Sequence, residues 1–231
     1  MGSIDGLRRW IGAEIGNATI ADSVLLIHIL AGVVAVLAGF GAIVTLKGGR
    51  RHNQTGKLYA VMMSIVVVTA IPLAVWTDDW FLFAIAIFTG YLIAAGYRIV
   101  LRRRGGVQGV TATDYALHGV MITVGLAMIV GGSYGTLTGW MELGYVLAVL
   151  GGIGGSLAVR ELRQFRVSET ERTPWFERHI GFMGGGYIAT ITAAVTVNLT
   201  MLPPVLRWLG PTLVGVPMIF YAIRTYRPRF G

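Results

Sequence analysis

The chain contains no cysteine among its 231 residues. Disulfide bonds, thiolate metal sites, iron–sulfur clusters and cysteine nucleophiles are therefore excluded together. Lysine is also scarce, since only Lys47 and Lys57 are present and both belong to one polar turn. A retinal protein needs a Schiff-base lysine in its last helix, so that class of seven-helix protein is excluded as well.

Charged residues are also few in this chain. They make up 13% of the chain, whereas a soluble domain has about 25%. Hydrophobic residues make up 55% and the mean hydropathy is +0.68. Apolar runs near or above 18 residues recur along the chain, which is typical of a polytopic helical membrane protein. The isoelectric point is near 10.2, and the basic residues that raise it cluster in the turns between these runs. We therefore expect these residues to determine the orientation of the spans in the membrane, and we expect no nucleic-acid partner.

The sequence predicts an all-α fold in which residues 20–226 form a bundle of seven transmembrane helices. The predicted spans cover about residues 20–46, 56–76, 80–100, 114–132, 141–159, 174–201 and 203–226. We expect Thr55 to cap the second span and the turn at 77–79 to cap the third. Small residues recur at four-residue spacing at Ala31, Ala35 and Gly39, and glycines cluster at 151–155. Such patterns predict close helix packing in lipid.

The ends of the chain carry orientation signals. Residues 1–19 have apolar side chains at helical spacing, which predicts an amphipathic helix lying in the membrane interface. Almost all Lys and Arg residues follow spans one, three and five or lie near the C-terminus. The positive-inside rule then places the N-terminus outside and the C-terminus, with a tail at 227–231, in the cytoplasm. We expect a multi-pass protein of the cytoplasmic membrane, with the lipid bilayer as its first partner.

Four histidines are the main candidates for chemistry, because ionisable side chains inside a membrane are costly and usually functional. The predicted topology places His52, His118 and His179 toward the cytoplasmic side, and His28 toward the outer side. Asp114 precedes His118 by four residues, so both lie on one face of the fourth helix.

Two kinds of cofactor suit these residues. Three histidines and a carboxylate suit zinc, with His52, His118, His179 and Asp114 as metal ligands. A pair of transmembrane histidines suits haem b, with His118 and His179 as the leading ligands and His28 as a further candidate. Structural roles compete with both, because an intramembrane histidine often only bonds neighbouring helices and Asp114 can cap a helix. No spacing matches a diagnostic motif, so these alternatives stay open.

Two blocks of the chain resemble the prokaryotic membrane proteins of the domain-of-unknown-function 2306 family. The first is HILAGVVAVLAGFGAIVTLKGGRRHNQTGKLYAVMM, and the second is RHIGFMGGGYIATITAAVTVN. The resemblance covers most of spans one, two and six. The resemblance implies that seven residues are motif positions: His28, His52, Gly56, Tyr59, His179, Met183 and Tyr187. His118 matches the family pattern less closely. It implies a multi-span membrane protein and brings no established activity.

The leading functional hypothesis is binding of haem b or a metal ion near the cytoplasmic face, with electron transfer to membrane quinone. The first alternative is a non-enzymatic transporter, or an accessory or assembly subunit that partners another membrane protein. The second is a zinc-dependent hydrolase acting on a lipid-like substrate through a metal-activated water. A homo-oligomer is compatible with each, and whether the protein is an enzyme stays open.

Overall fold

The computed structural model describes residues 20–167 and 173–230. This part of the chain forms seven long α-helices joined by turns. The helices are α1 (Ile20–Val44), α2 (Arg50–Trp76), α3 (Trp80–Arg103), α4 (Ala112–Thr138), α5 (Gly144–Gln164), α6 (Trp175–Asn198) and α7 (Pro204–Phe230).

All seven helices are long and apolar enough to cross a membrane. Each has at least 21 residues, and about 20 apolar residues are needed to span a bilayer. The all-helical, seven-span architecture predicted from sequence is thus confirmed at the level of the helices. The amphipathic helix predicted for 1–19 lies outside the described residues.

Several helix ends differ from the prediction. Helix α2 begins six residues earlier than expected, at Arg50, so Thr55 lies inside the helix and does not cap it. The Thr55 hydroxyl instead donates to the carbonyl of Arg51. Helix α5 continues to Gln164, beyond the predicted end of its span at 159, and α7 continues to Phe230, into the predicted tail at 227–231. The third helix is capped as expected, because the Asp79 carboxylate accepts from the backbone N–H of Leu82.

The helices run alternately up and down, so the turns after α1, α3 and α5 and the end of α7 meet at one end of the bundle. We call this the basic end because most of the arginines lie there. Arg104 donates to Asn53 across two of its turns (2.8 Å), and Lys47 lies over the Tyr226 ring. Partial burial lowers the pKa of Lys47, whose ammonium group donates to the carbonyl of Ala42.

Helix α3 is the centre of the bundle. It packs against α2, α4, α5 and α6, and half of its most apolar segment is buried. Helix α7, by contrast, packs mainly on α6 and touches α5 at only a few positions. The other close pairs are α1 with α2 and α4 with α5. The bundle is therefore densely packed on one side of α3 and looser between α5 and α7.

Glycine explains why α4 and α5 approach so closely. A Cβ atom added to Gly125 would lie 2.8 Å from the carbonyl oxygen of Gly151, and one added to Gly151 would lie 2.6 Å from that of Gly125. Ordinary side chains cannot fit there, so the small residues allow backbone contact as predicted. The predicted face of α1 is buried too, at Ala31, Ala35 and Gly39.

Candidate functional site: a cavity between α3, α5, α6 and α7

The four histidines lie at separate places in the bundle, and each bonds its own helix to another element. The Nδ1 of His28 lies 3.1 Å from the carbonyl oxygen of Val66 and 3.0 Å from the hydroxyl of Thr69, which ties α1 to α2. The Nδ1 of His52 lies 2.9 Å from the carbonyl oxygen of Ala42 near the end of α1. Both rings therefore have contacts that fit a structural role between α1 and α2.

The other two histidines pack on α3. The Nδ1 of His118 lies 3.1 Å from the hydroxyl of Tyr91. His118 is 2% exposed, and its ring is tilted by 58° against that of Phe165. The Nδ1 of His179 lies 3.1 Å from the carbonyl oxygen of Gly96. Tyr91 and Gly96 are five residues apart, which is more than one helical turn, so the two rings contact different levels of α3.

The predicted metal ligands do not gather. Within the described residues there is no group of three or more His, Asp or Glu side chains that could hold a metal ion. Three histidines lie at one end of the bundle, as the sequence pattern indicated, but His118 has Asp114 as its neighbour, one turn before it on α4, whereas His52 and His179 both lie near Arg104 and interact electrostatically with each other.

Asp114 has a complete structural environment at the start of α4. Its carboxylate accepts from Arg98 (2.7 Å) and from the backbone N–H of Thr111 (2.9 Å), and Arg102 lies 3.5 Å away. The side chain is 1% exposed. Asp114 thus caps α4, as one of the sequence readings proposed, and anchors two arginines of α3 to the helix N-terminus, where negative charge is stabilised.

A large cavity lies where α5 and α7 fail to pack against each other. Its volume is about 1450 Å³, and α3, α5, α6 and α7 form its walls. Its central part is lined by aliphatic and aromatic side chains, including Phe88, Leu92, Leu150, Phe182, Ile219 and Phe220. Typical small-molecule pockets hold about 300–1,000 Å³, so this space is large enough for a long molecule.

The loose packing of α7 produces this cavity. At the far end from the basic turns, Trp208 of α7 packs edge-on against Phe81 of α3, with ring centroids 4.8 Å apart. Along its length α7 rests on glycines of α6, since a Cβ atom added to Gly184 would lie 2.7 Å from Ile219. These contacts hold α7 against α6 and leave the space toward α5 open. Gly181 and Gly185 of α6 line that space.

Charged side chains line the cavity at the basic end. Arg178 of α6 donates from Nε to both carboxylate oxygens of Glu161 of α5 (2.9 and 3.1 Å), and both residues are buried. Arg227 of α7 forms a second pair with Glu177 of α6 (2.8 Å) and is exposed. Arg160 and Arg224 also line the cavity, from α5 and α7. Among the described residues, four arginines and two glutamates line this end, so its net charge is positive.

The opposite end of the cavity also carries polar groups. Arg207 at the start of α7 donates from Nη1 to the carbonyl oxygen of Thr196 (3.2 Å). The Nε of Arg207 and the hydroxyl of Thr196 are buried and have no hydrogen-bond partner among the described residues. Buried polar groups are nearly always satisfied, by water or by a ligand if not by protein. The cavity is therefore polar at both ends and apolar between them, like the bilayer itself.

Sequence reasoning missed the residues of this charged network. From sequence, Arg98, Arg102 and Arg178 count as topology signals and Glu161 does not stand out, because a sequence does not show which charges are buried. One signal was available: a glutamate and an arginine within about one turn of predicted span ends are near enough to the apolar core to be paired.

His28 also lines the cavity, from α1.

Comparisons of the chain with protein-family models, with curated proteins and with solved structures find no match. The resemblance to the domain-of-unknown-function 2306 family therefore stays a prediction. The described part of the chain nevertheless has the seven apolar helices of a multi-pass membrane protein.

Proposed function

We propose that the protein binds one long-chain amphiphile in the cavity between α5 and α7, as a transporter or accessory protein of the membrane. One observation carries the proposal: a cavity of about 1450 Å³ has an apolar middle and charged side chains at each end. A hydrocarbon chain fits the middle because the side chains there are about as apolar as the lipid tails that surround the chain in the bilayer. A polar head group fits an end, where charged side chains line the cavity and can bond to it.

The orientation of the bound molecule follows from charge. The basic end has more arginines than glutamates around the cavity, so it favours an anionic head group. By the positive-inside rule we place this end at the cytoplasmic side of the cytoplasmic membrane. The gap between α5 and α7 gives the amphiphile a lateral route from the bilayer, since these helices have few contacts to break.

The experiment is a test of cavity filling. Gly181 lines the cavity, and a Cβ atom added there has no neighbour within 4 Å, so Gly181→Phe places a ring in the space. Gly119→Phe is the matched control, because Gly119 of α4 also has open space around its Cβ position and does not line the cavity. We expect native mass spectrometry of the detergent-purified protein to show bound lipid for wild type and Gly119→Phe, and at least about tenfold less for Gly181→Phe.

Equal lipid binding by all three proteins would overturn the proposal, provided that each elutes as a single folded species. Loss of lipid from both variants would also count against it, because the effect would then not depend on the cavity. A smaller substitution at a second cavity position, Ala189→Leu, keeps the test informative if Gly181→Phe does not fold. Ala189 lies on the same wall of α6.

Haem or metal binding through His118 and His179 is the second candidate function. One observation favours it: each ring forms its hydrogen bond in the described part of the chain through Nδ1, which leaves Nε2, a common metal-binding atom, unbonded there. An absorption spectrum before and after dithionite reduction tests it. Sharp reduced α and β bands that disappear in His118→Ala would support haem b, and a featureless spectrum with no zinc on elemental analysis would exclude both cofactors.

A further inference from the structure

The arginines at the basic end of the cavity indicate the chemistry of the head group. Two of the four have a carboxylate partner there: Arg178 pairs with Glu161, and Arg227 pairs with Glu177. Arg160 and Arg224 form no ion pair among the described residues, although both line the same cavity. Both residues are exposed, and among the described residues their two positive charges have no carboxylate partner.

These two arginines come from the two walls that do not pack together. Arg160 lies near the end of α5, and Arg224 lies one turn before Arg227 on α7. Both line the cavity that a ligand between α5 and α7 would occupy. A guanidinium group offers five N–H donors in a fixed plane and binds phosphate oxygens in pairs. The arrangement is therefore suited to an anion with several acceptor oxygens rather than to a single carboxylate.

We propose that the cavity binds a membrane lipid that ends in a phosphate monoester, with the phosphate held between Arg160 and Arg224 and the hydrocarbon chain along the apolar wall. A phosphate monoester carries a charge of about −1.5 to −2 at neutral pH and three acceptor oxygens, which matches two unpaired arginines. A phosphodiester lipid or a fatty acid carries a single negative charge and leaves one arginine without a counter-charge. This inference rests on the proposed function, because it names the head group of the same bound molecule.

The test compares lipids with identical acyl chains and different head groups. Wild-type protein in detergent is titrated with dioleoyl phosphatidic acid, dioleoyl phosphatidylglycerol and dioleoyl phosphatidylcholine, and bound lipid is counted by native mass spectrometry. We expect phosphatidic acid to bind tightest. Replacing both arginines, as Arg160→Gln with Arg224→Gln, should weaken its binding by about tenfold or more. The same change should affect phosphatidylcholine by less than about threefold.

A basic surface also attracts anionic lipids without a specific site, so a control arginine is needed. Arg51 lies exposed at the basic end and does not line the cavity. Arg51→Gln should leave the preference for phosphatidic acid unchanged. An equal loss in Arg51→Gln and in the double variant would assign the effect to general charge and overturn the inference.

The remaining outcomes separate the two proposals. If Gly181→Phe abolishes binding of all three lipids but wild type shows no preference for phosphatidic acid, the cavity binds lipid and the phosphate assignment is wrong. If Gly181→Phe changes nothing, the cavity proposal itself fails. Displacement of phosphatidic acid by inorganic phosphate at equal concentration would assign the arginine pair to free phosphate and overturn the lipid source.

Discussion

Arg178 and Glu161 form a buried ion pair that joins α6 to α5 at the basic end of the cavity. The Nε of Arg178 lies 2.9 and 3.1 Å from the two carboxylate oxygens, and the side chains are 9% and 4% exposed. Both glutamate oxygens are used, so the pair fixes the geometry of the two helices as well as their distance. It is also the point at which the walls of the cavity are held together on the α5–α6 side.

Removing one partner of this pair should be costly. Arg178→Ala leaves the Glu161 carboxylate buried without its counter-charge, and such losses cost about 3–5 kcal/mol of unfolding free energy. The double variant Arg178→Met with Glu161→Gln removes both charges and should recover most of that loss. Thermal unfolding in detergent, followed by circular dichroism, measures both. A double variant as unstable as Arg178→Ala would contradict the explanation.

The second ion pair of the cavity provides the matched control. Arg227 pairs with Glu177 at 2.8 Å, but its side chain is 63% exposed. Exposed pairs contribute about 0–1 kcal/mol because water and salt screen them. We therefore expect Arg227→Gln to change stability far less than Arg178→Ala. Arg227 also donates to one carboxylate oxygen of Glu177, whereas Arg178 contacts both oxygens of Glu161.

Much of the fold was predictable because the bilayer imposes it. Each span needs about 20 apolar residues, so runs of that length locate the helices before any packing is known. Helix ends were less accurate because helices continue past the apolar core. Arg50 starts α2 and Gln164 ends α5, both beyond the predicted spans. Sequence hydropathy marks the apolar segment and not the hydrogen-bonded helix around it.

Asp114 should be important for stability and not for metal binding. Asp114→Asn removes the charge that Arg98 and Arg102 share and weakens the bond to the backbone of Thr111. Removing the negative charge of a buried carboxylate that pairs with two arginines should lower the free energy of unfolding by about 2–4 kcal/mol. Asp78→Asn is the control, because Asp78 is exposed and has a positive φ of 52°, which asparagine also tolerates. Chemical unfolding compares them, and an Asp114→Asn loss as small as that of the control would contradict the structure.

The glycine contact between α4 and α5 should tolerate no added atoms. Gly125→Ala places a Cβ atom 2.8 Å from the carbonyl oxygen of Gly151, so the helices must move apart, at a cost of about 1–3 kcal/mol. Gly119→Ala, on the same helix, meets nothing within 4 Å and should stabilise the helix by up to about 1 kcal/mol. The test is whether the two substitutions change the free energy of unfolding in opposite directions. Two stabilised variants in thermal unfolding would mean that α4 and α5 are not in backbone contact.

The candidate site was less predictable than the fold because it depends on which side chains meet. His52, His118 and His179 lie at one end of the bundle, as topology predicted, yet each bonds a different neighbour. Glu161 and Arg178 are 17 residues apart on different helices, so the ion pair depends on how the whole fold places the ends of α5 and α6. The cavity lies where α5 and α7 have few contacts, and no local pattern in either helix indicates it.

The tyrosines that the family resemblance marked should act in packing α1 and α2 onto α6. Tyr59 is 2% exposed, its ring meets that of Tyr187 edge-on at 6.0 Å, and its hydroxyl lies 3.1 Å from that of Thr190. Tyr59→Phe keeps the ring and removes the hydrogen bond, so we expect a loss of about 0.5–1.5 kcal/mol. Tyr59→Ala also leaves a cavity and should cost about 3–5 kcal/mol. Tyr134→Phe is the control because Tyr134 is 64% exposed. Lipid binding should persist in Tyr59→Phe, and its loss without loss of stability would place Tyr59 in a functional site instead.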